Sequence, residues 1–155
     1  LFRNAFFTHT LGKGSETMKV SMVILIALLL CGCTEPAIQE GEGTYTDSDK
    51  EVTTAKIKMQ DGQLKEVELD QTSGDTTKKN LQENYHMKAA SAIGKEWNEQ
   101  VQFFEQYVQN NGIDKIEIDD EGKAVNEDIK TGCTIRIDGF LYAIDDAKQN
   151  IESQK

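Results

Sequence analysis

Ile137, Phe140, Leu141, Ile144, Ala147 and Ile151 recur at intervals of three and four residues near the end of this chain. That spacing places apolar side chains on one face of a helix. A second stripe, Ile93, Trp97, Val101, Phe104 and Val108, predicts a longer helix over residues 91–110 with Gly112 as its C-terminal stop. Two amphipathic helices need an apolar surface to cover, and residues 52–71 offer one. There, β-branched and alternating residues flank Asp61-Gly62, a strong hairpin turn. Ile57 and Met59 share one face, as do Val67 and Leu69, with Lys65 and Glu66 on the solvated edge. Leu64 is out of phase with Val67, which predicts a β-bulge near the turn rather than a clean two-residue loop. Residues 113–118 alternate apolar and charged side chains and read as a third strand, closed by a turn at Glu121-Gly122. Residues 77–84 read as a short helix capped by Asp75 or Thr76. The expected class is α+β: a small antiparallel sheet with a hairpin, packed by a long helix and a C-terminal helix.

The first part of the chain reads as address rather than fold. Met18-Lys19 precedes an apolar run over residues 20–30, interrupted by Ser21. The run is too short to span a bilayer but has the length and flanks of a secretory signal's core. Leu30-Cys31-Gly32-Cys33 resembles a bacterial lipobox. By that resemblance the chain is cut before Cys33, whose sulfur takes a diacylglycerol anchor, and two acyl chains hold a protein stably at a membrane. Residues 1–17 lack apolar periodicity and read as upstream translation ahead of Met18, because Lys13-Gly14-Ser15-Glu16 can be encoded by a purine-rich run like a ribosome-binding site. The expected organisation is an upstream extension over 1–17, a lipoprotein signal over 18–32, a lipidated Cys33 with an acidic tether over 33–49, and a domain over 50–155.

Cleavage removes Arg3, Lys13, Lys19 and Glu16, so the net charge falls from −10 for the whole chain to −12 for the mature one. Such a surface repels nucleic acid, which argues against DNA or RNA binding. Of three cysteines, Cys31 leaves with the signal and Cys33 is lipidated. Cys133 then stands alone, which excludes an intramolecular disulfide.

The chemistry concentrates in Asp128-Ile129-Lys130-Thr131-Gly132-Cys133-Thr134, directly before the C-terminal stripe. A hydroxyl just ahead of a helix, beside a glycine that permits close approach, suits the holding of a phosphate on free helix N–H groups. Thr134 is therefore the candidate functional residue. Periodicity leaves the helix start open: residues 133–137 also fit a strand, with Asp138 capping a helix that begins at Gly139.

The same segment resembles the acceptor motif of FMN-binding domains, Asp-x-x-Ser/Thr-Gly-Ala-Ser/Thr. The resemblance runs from about Thr44 to Gln149, through Asp61-Gly62-Gln63-Leu64-Lys65-Glu66-Val67 and Tyr85-His86-Met87-Lys88. It departs at Cys133, where alanine is usual, and at Arg136, where a small hydroxyl residue is common. It implies FMN joined to Thr134 by a phosphoester, with Asp128, Thr131 and Gly132 in the signature read by a flavin transferase that uses FAD and magnesium. Cys133 would lie in the same acceptor turn. It also favours a helix starting close to Thr134. Its functional implication is an electron carrier rather than an enzyme, lipid-anchored on the outer face of the cell membrane as in Gram-positive bacteria. Such a carrier passes electrons from a membrane donor to an extracellular acceptor.

Each reading has a plainer counterpart. Thr131 or Thr134 can serve as an ordinary cap. Tyr85, Met87 and Lys88 suit a flavin's border, since an aromatic or thioether stacks on the ring and an ammonium stabilises its reduced, anionic form, yet Tyr85 and Met87 equally suit packing on the long helix. Trp97 lies within the core stripe. His86 with Cys133 lacks the further ligands a metal or nucleophilic site needs. Asp114, Glu117, Asp119, Asp120 and Glu121 lack the spacing of a calcium loop and read as a solvated edge. The functional alternative is a non-redox binding or structural lipoprotein that keeps the fold without flavin.

Overall fold

The computed structural model describes residues 36–154; the signal segment, the lipobox and Cys33 lie outside them. Strands β1 (Gln39–Thr46), β2 (Val52–Gln60), β3 (Gln63–Ser73) and the short β4 (Thr76–Thr77) form one antiparallel sheet in chain order. Helix α1 (Lys78–Leu81), a 3₁₀ turn (Gln82–Tyr85), α2 (Trp97–Asn111), α3 (Glu127–Lys130) and α4 (Asp138–Glu152) follow. The α+β class expected from the sequence is the class observed. Among the described residues no helix is long and apolar enough to cross a membrane.

The hairpin folds as its alternation dictates. Asp61 and Gly62 both have positive φ, 54° and 74°, the twist a two-residue hairpin turn requires. Gln60 pairs with Gln63, and the register then slips so that Met59 faces Leu64 while Lys58 faces Glu66. Lys65 is the extra residue. The expected bulge is present, but it sits beside a tight two-residue turn instead of replacing it. It brings Leu64 onto the buried face with Val67 and Leu69.

Both large helices pack on that face: α4 lies across β1 and β2, and α2 lies on β3. Trp97, Val101, Phe104 and Val108 from α2 meet Phe140, Ala143, Ile144, Ala147 and Ile151 from α4 in one buried cluster. Each large side chain so placed contributes about 1.5–3 kcal/mol. The outer edge of β3 is closed by α2, where Glu105 accepts the Leu69 N–H at 2.6 Å and pairs with Lys79 at 2.6 Å. A carboxylate thus takes up an amide that would otherwise be an open strand edge.

Four sequence expectations are corrected. The acidic tether assigned to 33–49 contains β1, an edge strand paired along its length with β2. Gly41 and Gly43 are there for contact: a Cβ on Gly41 would lie 2.6 Å from the Ala147 carbonyl oxygen, and one on Gly43 would run into the main chain of Ala143 and Ala147. The strand expected over 113–118 is absent, apart from an isolated bridge between Ile118 and Ala124. Side chains occupy its backbone groups instead: Asn126 Oδ1 accepts from Glu117 N at 2.9 Å, and Asn126 Nδ2 donates to Lys115 O at 3.1 Å. The long helix begins at Trp97 rather than at Ser91, because Glu96 and Glu99 form a capping box there. Finally, the short helix is capped by Thr77, whose hydroxyl accepts from Asn80 N, rather than by Asp75 or Thr76.

Candidate functional site

The motif Asp128 to Thr134 forms α3 and the turn leaving it. Thr131 donates its hydroxyl to the Asp128 carbonyl at 2.7 Å, and the amides of Gly132 and Cys133 both return to Ile129 O at 3.0 and 2.8 Å. Gly132 is buried, and a Cβ there would collide with the Phe103 ring. The glycine therefore serves a side-chain contact within the fold. Asp128 is exposed and accepts the Tyr107 hydroxyl at 3.0 Å and the Ile129 amide at 3.0 Å. Burial first, then the hydrogen bond to Asp128, raises the Tyr107 phenol above its ordinary pKa.

Thr134 follows outside any helix or strand, and α4 starts only at Asp138. The helix start expected near Thr134 is thus corrected, and Thr134 caps no helix. Ile137 occupies the N-cap position without a side-chain cap bond, while Ile137 N and Asp138 N both donate to Gly122 O. Instead, both donors of Thr134 converge on one atom: its N–H reaches Gln100 Oε1 at 2.9 Å and its hydroxyl reaches the same oxygen at 3.2 Å. Gln100 is fully buried on α2. Its Nε2 donates to the Lys95 carbonyl at 3.2 Å and to Ser91 Oγ at 3.1 Å. A main-chain carbonyl only accepts and a main-chain N–H only donates, so these partners fix which end of the amide faces Thr134.

Thr134 and Gln100 lie in the wall of a cleft of about 550 Å³, within the range of small-molecule sites. One side is aromatic. Tyr85, Trp97 and Phe140 line it, with successive ring centroids 6.5 and 6.0 Å apart in edge-on arrangements. Lys78, 6% exposed, holds its ammonium 5.3 Å from the Tyr85 ring and 5.9 Å from the Trp97 ring. Glu51 and Gln71 accept from it at 2.9 and 2.8 Å. Beyond Thr134 the lining carries Arg136, Lys123, Asp138 and the first-turn residues Gly139 and Phe140 of α4. Their amides precede the first intrahelical partner and form the positive end of the helix dipole. Arg136 pairs with Asp138 at 2.8 Å, and that hydrogen bond raises its pKa.

Of the residues singled out by sequence, Thr134, Tyr85 and Met87 line the cleft, and Trp97 both lines it and belongs to the core. Met87 is tethered by its amide to Glu96 at 2.9 Å. Asp128 and Thr131 stand exposed outside the lining, and Gly132 and Cys133 are buried behind it. Lys88 is exposed and outside the lining. The ammonium in the wall is that of Lys78, which no local pattern singles out. Gln100 was also missed, although a glutamine three residues after Trp97 on a buried stripe is a signal that a polar group has a partner inside. Asp114, Glu117, Asp119, Asp120 and Glu121 are all exposed, and among the described residues no group of three His, Cys, Asp or Glu is placed to hold a metal.

Cys133 is 1% exposed, and burial pushes its thiol up to about 12. The folded state holds the thiol neutral. Its contribution to stability is complete below pH 9 and is lost between pH 9 and about 12, at roughly 1.4 kcal/mol per pH unit. Cys133→Ala should therefore flatten the alkaline loss of stability measured by urea unfolding at pH 8 and pH 10.5. In the native protein the thiol should resist iodoacetamide at neutral pH and react on unfolding, as read by intact mass. Alkylation of the native protein as fast as of the unfolded chain would contradict this placement.

No protein-family model matches the chain, and neither does any curated protein. Among solved structures, it is similar to a protein of Clostridium thermocellum determined by solution NMR, with 20% identity, a TM-score of 0.44, and coverage of 78% of this chain and 92% of that one. At that distance the site rests on this chain's own residues.

Proposed function

We propose that this protein is an electron-transfer flavoprotein, anchored by lipid on Cys33 to the extracytoplasmic face of the cell membrane, with FMN phosphoester-linked to Thr134. The observation that carries the reading is where the motif's last hydroxyl lies. Thr134 lines a ligand-sized, aromatic-walled cleft, while Asp128 and Thr131 of the same motif stay on the surface. That division suits a modification in which one protein reads the exposed residues and the cofactor enters the cleft. Tyr85 and Phe140 would flank a planar ring, and Met87 would border it. Lys78, in place of Lys88, would supply positive charge beside the ring. Arg136, Lys123 and the start of α4 would face the phosphate. Bound there, FMN would supply one- or two-electron transfer, with the protein providing position and electrostatics. A covalent link suits this location, because a cofactor lost outside the cell is not recaptured and attachment makes its local concentration independent of affinity. The partners in this reading are a flavin transferase, a membrane electron donor and an extracellular acceptor.

Intact mass of the domain, co-expressed for export with a flavin transferase, tests it. The expected result is added mass equal to FMN less one water, mapped to the peptide carrying Thr134. An unmodified threonine, with a control acceptor modified in the same cells, would reject the reading and leave the non-redox lipoprotein in its place.

A further inference from the structure

We infer that Gln100 is the positioning residue for group transfer to Thr134, an inference that rests on the flavin reading above. Transfer from FAD forms the bond between Thr134 Oγ1 and the phosphorus of the FMN half. It breaks the pyrophosphate bond, releases AMP, and passes the hydroxyl proton to a base of the transferase. The acceptor protein must present Oγ1 with a lone pair aimed at the incoming phosphorus. Nothing in the loop itself does so, because Thr134 caps no helix and lies in irregular backbone ahead of α4.

Gln100 supplies the constraint. The stronger contact, 2.9 Å to the Thr134 amide, fixes the main chain. The longer one, 3.2 Å to the hydroxyl, limits the side-chain rotamer by holding its hydrogen on Gln100 until transfer. Because the hydroxyl is the donor in this bond, its oxygen keeps its lone pairs for attack. An amide oxygen is too weak a base to take the proton, so as the new bond forms the hydroxyl hydrogen turns from Gln100 to the base of the transferase, while the amide contact keeps Thr134 in place. Gln100 is itself held from behind, by Ser91 and the Lys95 carbonyl, so its oxygen does not turn away. Once the ester forms, Oγ1 has no hydrogen to donate, and the hydroxyl bond is lost while the amide bond persists. The constraint therefore belongs to the acceptor state. Its loss should slow transfer without loosening flavin already attached.

Initial rates of flavin transfer, measured with purified transferase, FAD and magnesium at varied acceptor concentration, separate the terms. Gln100→Met, which keeps length and burial but removes the acceptor, should lower kcat between about ten- and a hundredfold with KM little changed. Ser91→Ala, which loosens the amide from behind, should give a smaller fall in the same direction. Val108→Ala is the control for lost stability, since Val108 is buried on the same helix but outside the cleft. It should transfer at the wild-type rate while folded. Wild-type rates in Gln100→Met and Ser91→Ala would overturn the inference. So would an equal fall in Val108→Ala, or a change confined to KM. A wild-type protein that accepts no flavin would instead overturn the reading on which the inference rests.

Discussion

Thr134→Val should abolish flavin attachment completely while leaving the fold in place. Valine matches threonine in shape and keeps the main-chain N–H that donates to Gln100 at 2.9 Å. The variant loses only the hydroxyl contact at 3.2 Å, and because Gln100 Oε1 keeps the amide as a partner, the cost to stability is about 1 kcal/mol or less. The modification has no such reserve, since the ester requires an oxygen at this position. Thr134→Ser restores that oxygen and should be modified, more slowly for want of the methyl group that limits side-chain rotation. Intact mass reads the modification, and urea unfolding followed by the fluorescence of Trp97, the single tryptophan, reads the fold. Mass of FMN on Thr134→Val would place the attachment elsewhere. A collapse in stability would show that the hydroxyl is structural, as the plain reading of this residue holds.

The elements that could be read in the sequence are those whose side chains carry a period. The stripe from Trp97 to Val108 and the alternation around Asp61-Gly62 were legible because burial on one face imposes a spacing. Residues 113–118 show the weakness of the same rule. Their alternation is real, but Asn126 takes up the Glu117 amide and the Lys115 carbonyl that a ladder needs, and an isolated bridge at Ile118 is all the strand pairing they make among the described residues. β1 was illegible for the opposite reason. Its buried positions are Gly41 and Gly43, which read as flexibility unless α4 is known to lie against them. At the site, Thr134 stood out because a motif of fixed spacing carries it. Its surroundings come from β1 to β3, α1, α2 and α4, and no local pattern announces a cleft assembled from separate elements. Lys78 illustrates this: its environment is made by Glu51, Gln71, Tyr85 and Trp97, all distant in sequence or on other elements.

The packing of α4 on β1 should make Gly43→Ala the most damaging single methyl in the domain. The added Cβ would meet the Ala143 carbonyl oxygen and the Ala147 amide nitrogen, with the Ala147 Cα at 2.9 Å. Main-chain atoms inside a helix do not rotate away as a side chain would. Accommodation requires the helix to slide or lift. The expected cost is about 3 kcal/mol or more, at the upper end for overpacking, and a domain of this size should lose roughly 10 °C or more of its melting temperature. Gly74→Ala is the comparison, because Gly74 has φ of 60° with open space around it. That variant pays only for left-handed backbone, about 1–2 kcal/mol. If the two variants fell together, close packing would not explain Gly43, and its place would be one of backbone freedom alone. The larger loss at Gly43 has a second consequence, since α4 brings Gly139 and Phe140 to the cleft and β1 brings Tyr45. Lifting the helix moves Phe140 from its place 6.0 Å from Trp97. In urea well below its unfolding midpoint, Gly43→Ala should therefore show altered Trp97 emission and slower acceptance of flavin, whereas Gly74→Ala should show neither.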